Sequence, residues 1–445
     1  MEKGSAMSCA LFRSSAFTLA FLFLCGCGGS SGGNTGGGGG GGNSSTTVTF
    51  TFVGATPTAV ATQIGSGSFT AAAPASTVTL MLPSGTANFA VAYVCPPISG
   101  AIPPSTIVPV TEERVFEAST LDGTSFSEPC PSSISVTGAN GTLTGSVDAS
   151  AIPGIDILEI YAQNAQNSPT GFPTLVPVSG GSFSAIAPAG TDRVMVAAFS
   201  TAASGNLEAL NLVAAKNFSS QTVPGALNGG NTVVLSAADQ TTTEPLTYQN
   251  VPSGYNAPTT IVGHQLGNAG GIVVADSATS GYPALPAAAV ESGDSYTFRA
   301  ITSSSSNPSQ STLVTTTLAG AGPESVSFPP AWSYAGPTPA AWPSFNLAYA
   351  GFQGKTGVVD EVEMEWSPSS TAGNIVMVTA TANYLNGSMT VSVPNLSVLT
   401  GFIAPAASGT TIIWSAHINQ EISLAGSPSS IAQSIVQNNG TYIVP

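Results

Sequence analysis

Charge is what this chain of 445 residues has least of. Charged side chains make up 7%, against about 25% in ordinary soluble domains. Histidine occurs only twice, as His264 and His417, which leaves general acid–base and metal chemistry few groups to work with. Lys and Arg together number seven and lie far apart. The basic clusters that hold a phosphate backbone are therefore missing, and nucleic acid is not an expected partner. There is no Gly-x-Ser-x-Gly elbow, no His-Glu-x-x-His and no phosphate-cradling glycine loop; the glycines at 36–42 read as linker. What is present is a hydrophobic fraction of 42% spread along the chain, enough to build cores. Solubility then rests on hydroxyls and amides rather than on charge.

The N-terminus has the order of a secretion signal: Lys3 and Arg13, an apolar run over 16–24, then Leu24-Cys25-Gly26-Cys27. The run is about half of the roughly 20 residues that a membrane-spanning helix needs. The four closing residues resemble the lipobox of bacterial lipoproteins, in which Leu, a small residue and Gly precede an invariant Cys; Cys25 departs from the commoner Ala, Ser or Thr. The resemblance covers only the first tenth of the chain. It implies a signal peptide over 1–26, a diacylglyceryl thioether on Cys27, and N-acylation of the new terminus by a palmitate-like chain, which together make a stable anchor. Gly28 in place of Asp is similar to the pattern that directs Gram-negative lipoproteins to the outer membrane. Ordinary secretion with cleavage near Gly28 is the alternative. Residues 27–46 then form the lipidated Cys and a Gly/Ser-rich tether spanning roughly 25 Å as a random coil.

On this reading Cys9 and Cys25 leave with the signal and Cys27 carries lipid, so that Cys95 and Cys130 remain of the five cysteines. An exported pair is expected to be a disulfide, worth roughly 3 to 4 kcal/mol on the chain-entropy model. Alternation puts Cys95 on the same face as Phe89, Val91 and Tyr93. A metal site there would need more ligands. The mature chain keeps 5 basic and 21 acidic residues, net −16, which repels anionic lipid as well.

Short runs of alternating apolar and hydroxyl residues recur between clusters of Gly, Pro, Asn and Ser. They predict an all-β chain of tandem antiparallel β-sandwiches, immunoglobulin-like or transthyretin-like. Asn386-Gly387 predicts a type I′ hairpin joining 375–385 to 388–393. Helical periodicity is confined to 206–213 and 428–436, the latter with Ser427 as cap. Gly67-Ser68-Phe69-Thr70-Ala71-Ala72-Ala73-Pro74-Ala75 is echoed by Gly181-Ser182-Phe183-Ser184-Ala185-Ile186-Ala187-Pro188-Ala189, a spacing of one sandwich domain. The pattern is loosely similar to transthyretin-like and fibronectin-like modules of bacterial surface proteins. The predicted domains are 47–136 with the disulfide, 137–245, 246–332 and 333–445, with 246–445 as one domain the alternative.

Four features are candidates for chemistry. His264, between Gly263 and Gln265, reads as a loop residue able to act as ligand or base. His417 reads as a solvated strand residue on the face of Ser415 and Asn419, opposite Trp414. Asp360-Glu361-Val362-Glu363-Met364-Glu365-Trp366 alternates, sending Val362, Met364 and Trp366 inward and the three glutamates outward; with Asp360 they are a possible calcium site or a carboxylate pair for hydrolysis. Side chains two apart on a strand stand roughly 7 Å from one another, so a solvated strand that deters edge pairing is the simpler reading. Aromatics from Phe328 to Phe352, among them Trp332, Tyr334 and Trp342, are interleaved with prolines and suit either core packing or a sugar-stacking platform. The expected function is that of a lipid-anchored envelope protein, non-catalytic and without a cofactor, acting in binding, adhesion or structure. Its partners are the membrane and an unknown protein or glycan. A carbohydrate-binding envelope protein is the alternative, and a carboxylate-dependent hydrolase a more distant one.

Overall fold

The computed structural model describes residues 45–97, 101–102, 105–106, 111–130, 140–163, 174–178, 180–201, 210–267, 271–332, 334, 336–346, 349, 361–368, 374–388, 390–423 and 431–445. Cys27, the glycine-rich stretch to 44 and Asp360 lie outside them. Residues 44–445 form one compact unit. Its described residues are all-β but for one short helix and a few 3-10 turns, because Val, Ile, Phe and Thr at period two suit a pleated sheet with one buried face. In β4 (Thr77–Leu82), for instance, Val78, Leu80 and Leu82 are buried while Thr77, Thr79 and Met81 are exposed.

One seven-strand pattern recurs about every 100 residues. In the first repeat the strands are β1 (Thr46–Gly54), β2 (Ala59–Ile64), β3 (Thr70–Ala72), β4, β5 (Asn88–Val94), β8 (Thr111–Ser119) and β9 (Ser125–Cys130), with a small pair, β6 (Ala101–Ile102) and β7 (Ser105–Thr106), between them. The second repeat has β10 (Asn140–Asp148), β11 (Ile157–Gln163), β12 (Thr174–Val176), β13 (Gly181–Pro188), β14 (Gly190–Thr201), β15 (Leu210–Val223), β16 (Gly225–Ala226) and β17 (Val233–Val234). The third has β18 (Thr242–Gln249), β19 (Thr259–Gln265), β20 (Gly271–Ala278), β21 (Gly281–Ala284), β22 (Ser295–Ser303), β23 (Ser311–Leu318) and β24 (Glu324–Ser327). The fourth has β25 (Ser344–Asn346), β26 (Glu361–Pro368), β27 (Asn374–Thr381), the helix α1 (Ala382–Leu385), β28 (Thr390–Ser392), β29 (Thr411–Ser423) and β30 (Ile431–Ile443).

The first three repeats divide the same way. The first, fourth and closing strands make a small outer sheet, β4-β1-β9, β13-β10-β16 with β17 also on β10, or β21-β18-β24, in which the first strand runs parallel to the closing one. The remaining four make an inner sheet, and the inner quartets fuse edge to edge. A single 16-stranded sheet results, in the order β12-β11-β14-β15-β20-β19-β22-β23-β30-β29-β26-β27-β8-β5-β2-β3. The repeats thus lie side by side as second, third, fourth, first. The last join is the parallel pairing of β27 with β8.

A buried apolar core fills the space between sheets in each repeat. In the first, Phe50, Phe89, Phe116 and Phe126 pack ring on ring, and the Cys95–Cys130 disulfide, with Cα atoms 5.5 Å apart, ties the end of β9 to the chain after β5. Cys95 shares that core with Phe89, Val91 and Tyr93, as alternation predicts.

The fourth repeat departs from the pattern. Among the described residues no closing strand pairs with β25. The chain around 330–342 lies over β29 and β30 instead, with the Asn438 amide donating to the Trp332 carbonyl at 3.2 Å and the Tyr442 hydroxyl to that of Ala340 at 2.9 Å. Its prolines have no N–H to extend a ladder, and its aromatic rings fill the core that a strand would otherwise cover.

Three local expectations are corrected. Asn386 and Gly387 do take positive φ, 45° and 84°, but they end α1, where the Asn386 N–H reaches the Ala382 carbonyl, and β28 pairs with β25. No hairpin can form on β27, whose two edges are already taken by β26 and β8. The helices expected at 206–213 and 428–436 are strands in their described parts, 210–213 in β15 and 431–436 in β30, because ladder partners override local periodicity. The Gly67–Ala75 echo also falls on unlike places: its first copy spans β3 and its second β13.

Candidate functional site

The carboxylates that the sequence singles out lie on β26, and alternation holds: Val362, Met364 and Trp366 are fully buried in the fourth core. Glu361, Glu363 and Glu365 line the opposite face, half-buried, level with Asn419, His417 and Ser415 of β29. His417 is therefore not a freely solvated side chain; its Nδ1 stands 3.7 Å from Glu363 Oε1. The Asn419 amide donates to Glu361 at 3.3 Å. The same face continues across β27 to β8 and β5, because Glu365 is level with Met377, Met377 with Arg114, and Arg114 with Tyr93. Arg114 donates to Glu112 at 2.9 and 3.1 Å, and Tyr93 donates to Glu128 of β9 at 3.4 Å.

This row pushes its carboxyls apart electrostatically. Burial, then the charges of Glu363 and Glu128, push Glu361 up to about 8. Burial pushes Glu128 up to about 7 although Arg114 opposes it. Burial also works to raise Glu363, but the His417 hydrogen bond and charge and the Arg114 charge outweigh it, so its pKa lies below the ordinary value. At neutral pH Glu361 therefore holds a proton beside an ionised Glu363. The two stand in line along one strand rather than facing each other across a cleft. Among the described residues no three His, Cys, Asp or Glu side chains converge as metal ligands.

His264, which reads in sequence as a loop residue, lies in β19, fully buried. Its Nε2 stands 3.2 Å from Asp294 Oδ2. Arg193 of β14 grips that carboxylate at both ends, at 2.6 and 2.7 Å, and also donates to the Ala289 carbonyl at 3.3 Å and to Asn217 of β15 at 2.9 Å. Burial works to raise Asp294, but Arg193 and the Glu291 N–H outweigh it and lower its pKa. Burial likewise lowers His264, against the pull of Asp294. His264, Asp294 and Arg193 are all buried, and the group ties the second repeat to the third with one of the chain's few cations. Local sequence gives no signal for it beyond an arginine opening an apolar run.

The aromatic platform is corrected by burial. Trp332 is 1% exposed and stacks on Tyr334, ring centroids 5.1 Å apart and 13° from parallel. Tyr334 meets Trp414 edge-on at 5.5 Å, and the half-buried Trp342 leans on Trp366 at 5.6 Å. Trp332 thus offers no open face for a sugar, and it does not stand exposed beside Trp342.

No protein-family model matches the chain, and a search of curated proteins finds no match. Among solved structures the chain is similar to the chicken CNTN1 FN1-FN3 domains, at 9% identity over 65% of this chain and 88% of that one, TM-score 0.14. It is similar to a DUF3823 family protein from Bacteroides uniformis, at 9% identity over 69% of this chain and all of that one, TM-score 0.14. The Bacillus anthracis TIE protein is similar at 11% identity over 87% of this chain and 66% of that one, TM-score 0.13.

Proposed function

We propose that the chain is a lipid-anchored cell-envelope lipoprotein, probing or bridging its surroundings as a non-catalytic binding, adhesion or structural module. The observation that carries this reading is the run Leu24-Cys25-Gly26-Cys27 after a short apolar stretch and before a glycine-rich tether. The folded part is consistent with it, since polar groups bridge its repeats: Arg193 of the second grips Asp294 of the third, and Asp122 of the first meets Thr381 and Asn383 of the fourth. On this reading Cys27 bears the lipid, the outer membrane is the destination, and the sandwiches are immunoglobulin-like or transthyretin-like modules beyond the tether.

The test is the mass of the protein purified from native membranes, with and without Cys27→Ser, together with detergent phase partitioning. A lipid increment lost on substitution supports the anchor. An unmodified chain released into the medium overturns it in favour of a secreted protein.

A further inference from the structure

The joint between the first and fourth repeats has an unusual chemistry. Beyond the β27–β8 ladder, the first repeat grips the fourth through acidic and amide side chains whose described hydrogen-bond partners across the joint are neutral groups. Asp122 accepts from the Thr381 hydroxyl and the Asn383 amide, both at 2.6 Å. The Asn88 amide donates to the Tyr384 carbonyl at 3.0 Å. Glu117 accepts from the Tyr384 hydroxyl at 3.5 Å, and Glu113 accepts from the Ile403 N–H at 2.7 Å. Glu113 is fully buried, and its second oxygen, Oε1, has no partner.

Glu113 and Glu117 project from β8 onto the face opposite Glu112 and Arg114, toward the fourth core. Level with Glu113 are Val94 of β5 and Val376 of β27; level with Glu117 are Ala90 and Ala380. The segment at 403 contributes a backbone N–H, and α1 contributes the Tyr384 hydroxyl. Among the described residues Tyr384 is thus the titratable group facing Glu117, and no cation meets either glutamate. Two carboxyls have been placed in an apolar joint between repeats with one described donor each, a backbone N–H for Glu113 and a distant phenol for Glu117, and with no described cation to balance a charge, an arrangement that favours the neutral acid over the anion.

We propose that Glu113 and Glu117 form a proton-dependent latch, which closes the joint between the first repeat and the α1–Ile403 region when protonated and loosens it when ionised. Burial pushes both carboxyls up to about 7 from an ordinary 4.5. The sign follows from linkage: the closed joint binds the proton more tightly, so closure is complete below the ordinary value and is lost as pH rises through the closed-state value. Between 4.5 and 7 the closed-to-open ratio falls about tenfold per pH unit for each glutamate, and it levels off above. A protein outside the cytoplasm, exposed to the pH of its surroundings, would change the stiffness of this joint across that window.

The test is amide hydrogen exchange of the wild-type protein from pH 5 to pH 8, corrected for intrinsic rates, read at Ile403 and across α1. Opening around each glutamate by itself is expected to become on the order of 100-fold more favourable over that span, while amides in the third core, such as Phe298, hold steady. Glu113→Gln keeps an acceptor for Ile403 without a titrating proton and is expected to flatten the Ile403 profile; Glu117→Gln does the same for α1. A flat wild-type profile overturns the latch, as do Gln variants that keep the wild-type pH dependence. Should a variant fail to fold, the wild-type profile alone decides.

Discussion

Asp294→Asn is the substitution that most directly tests the joint between the second and third repeats. It keeps the shape of the side chain and removes its charge, leaving the Arg193 guanidinium, 7% exposed, without the carboxylate that takes two of its donors. Breaking one half of a buried ion pair costs about 3 to 5 kcal/mol. For a cooperative unit of two such repeats that lowers Tm by roughly 10 °C, and the loss belongs to the second and third cores, which Arg193, Asn217, His264 and Asp294 connect. Calorimetry of the purified protein at pH 7 reads it as an early transition split from the rest. Because the Asp294 pKa is lowered in the fold, its contribution is present above the ordinary aspartate value of 3.8 and fades as pH falls below it, so the gap between wild type and variant narrows in acid. Arg193→Met with Asp294→Leu removes both charges and is expected to recover most of the loss. A single-variant cost under about 1 kcal/mol, or a double variant no better than the single, would refute the reasoning.

Three further outcomes are expected. Cys95→Ser opens a loop of 35 residues and costs about 4 kcal/mol on the chain-entropy model, measured as a drop in the urea midpoint that reduction of the wild type reproduces. Gly440→Ala places a Cβ 2.9 to 3.1 Å from the indole of Trp414, an overpacking worth about 1 to 3 kcal/mol, visible as a lowered Tm with altered tryptophan fluorescence. Glu361→Gln removes a carboxyl whose pKa is raised to about 8 by burial and like charges; it raises Tm at pH 9 and leaves it unchanged at pH 4, where the wild-type group is neutral, and an equal shift at both would count against the carboxylate row.

Much of the fold is legible in the sequence because a strand writes its own period. The alternation of Val362, Met364 and Trp366 with three glutamates is a local fact, and it correctly assigns the two faces of β26. So does the run from Phe89 to Cys95, which places the cysteine in the first core before its partner is known. What misleads is equally local. Asn386-Gly387 requires positive φ, and both a hairpin and a helix end satisfy that; only the occupancy of the edges of β27 chooses between them. Residues 431–436 have helical spacing, but two ladder partners outweigh it.

The all-β character and the inward and outward faces are readable from sequence because each follows from side chains within a few residues of one another; the Cys95–Cys130 pair, 35 residues apart, follows from the cysteine count instead. Tertiary structure alone decided which edges fuse into the long sheet and which titratable groups meet. Arg193 and Asp294 are 101 residues apart, Glu113 and Ile403 290. Their chemistry comes from low dielectric and close approach, which no local pattern encodes. A glutamate in β8 reads in sequence like any other until the fold removes the water around it.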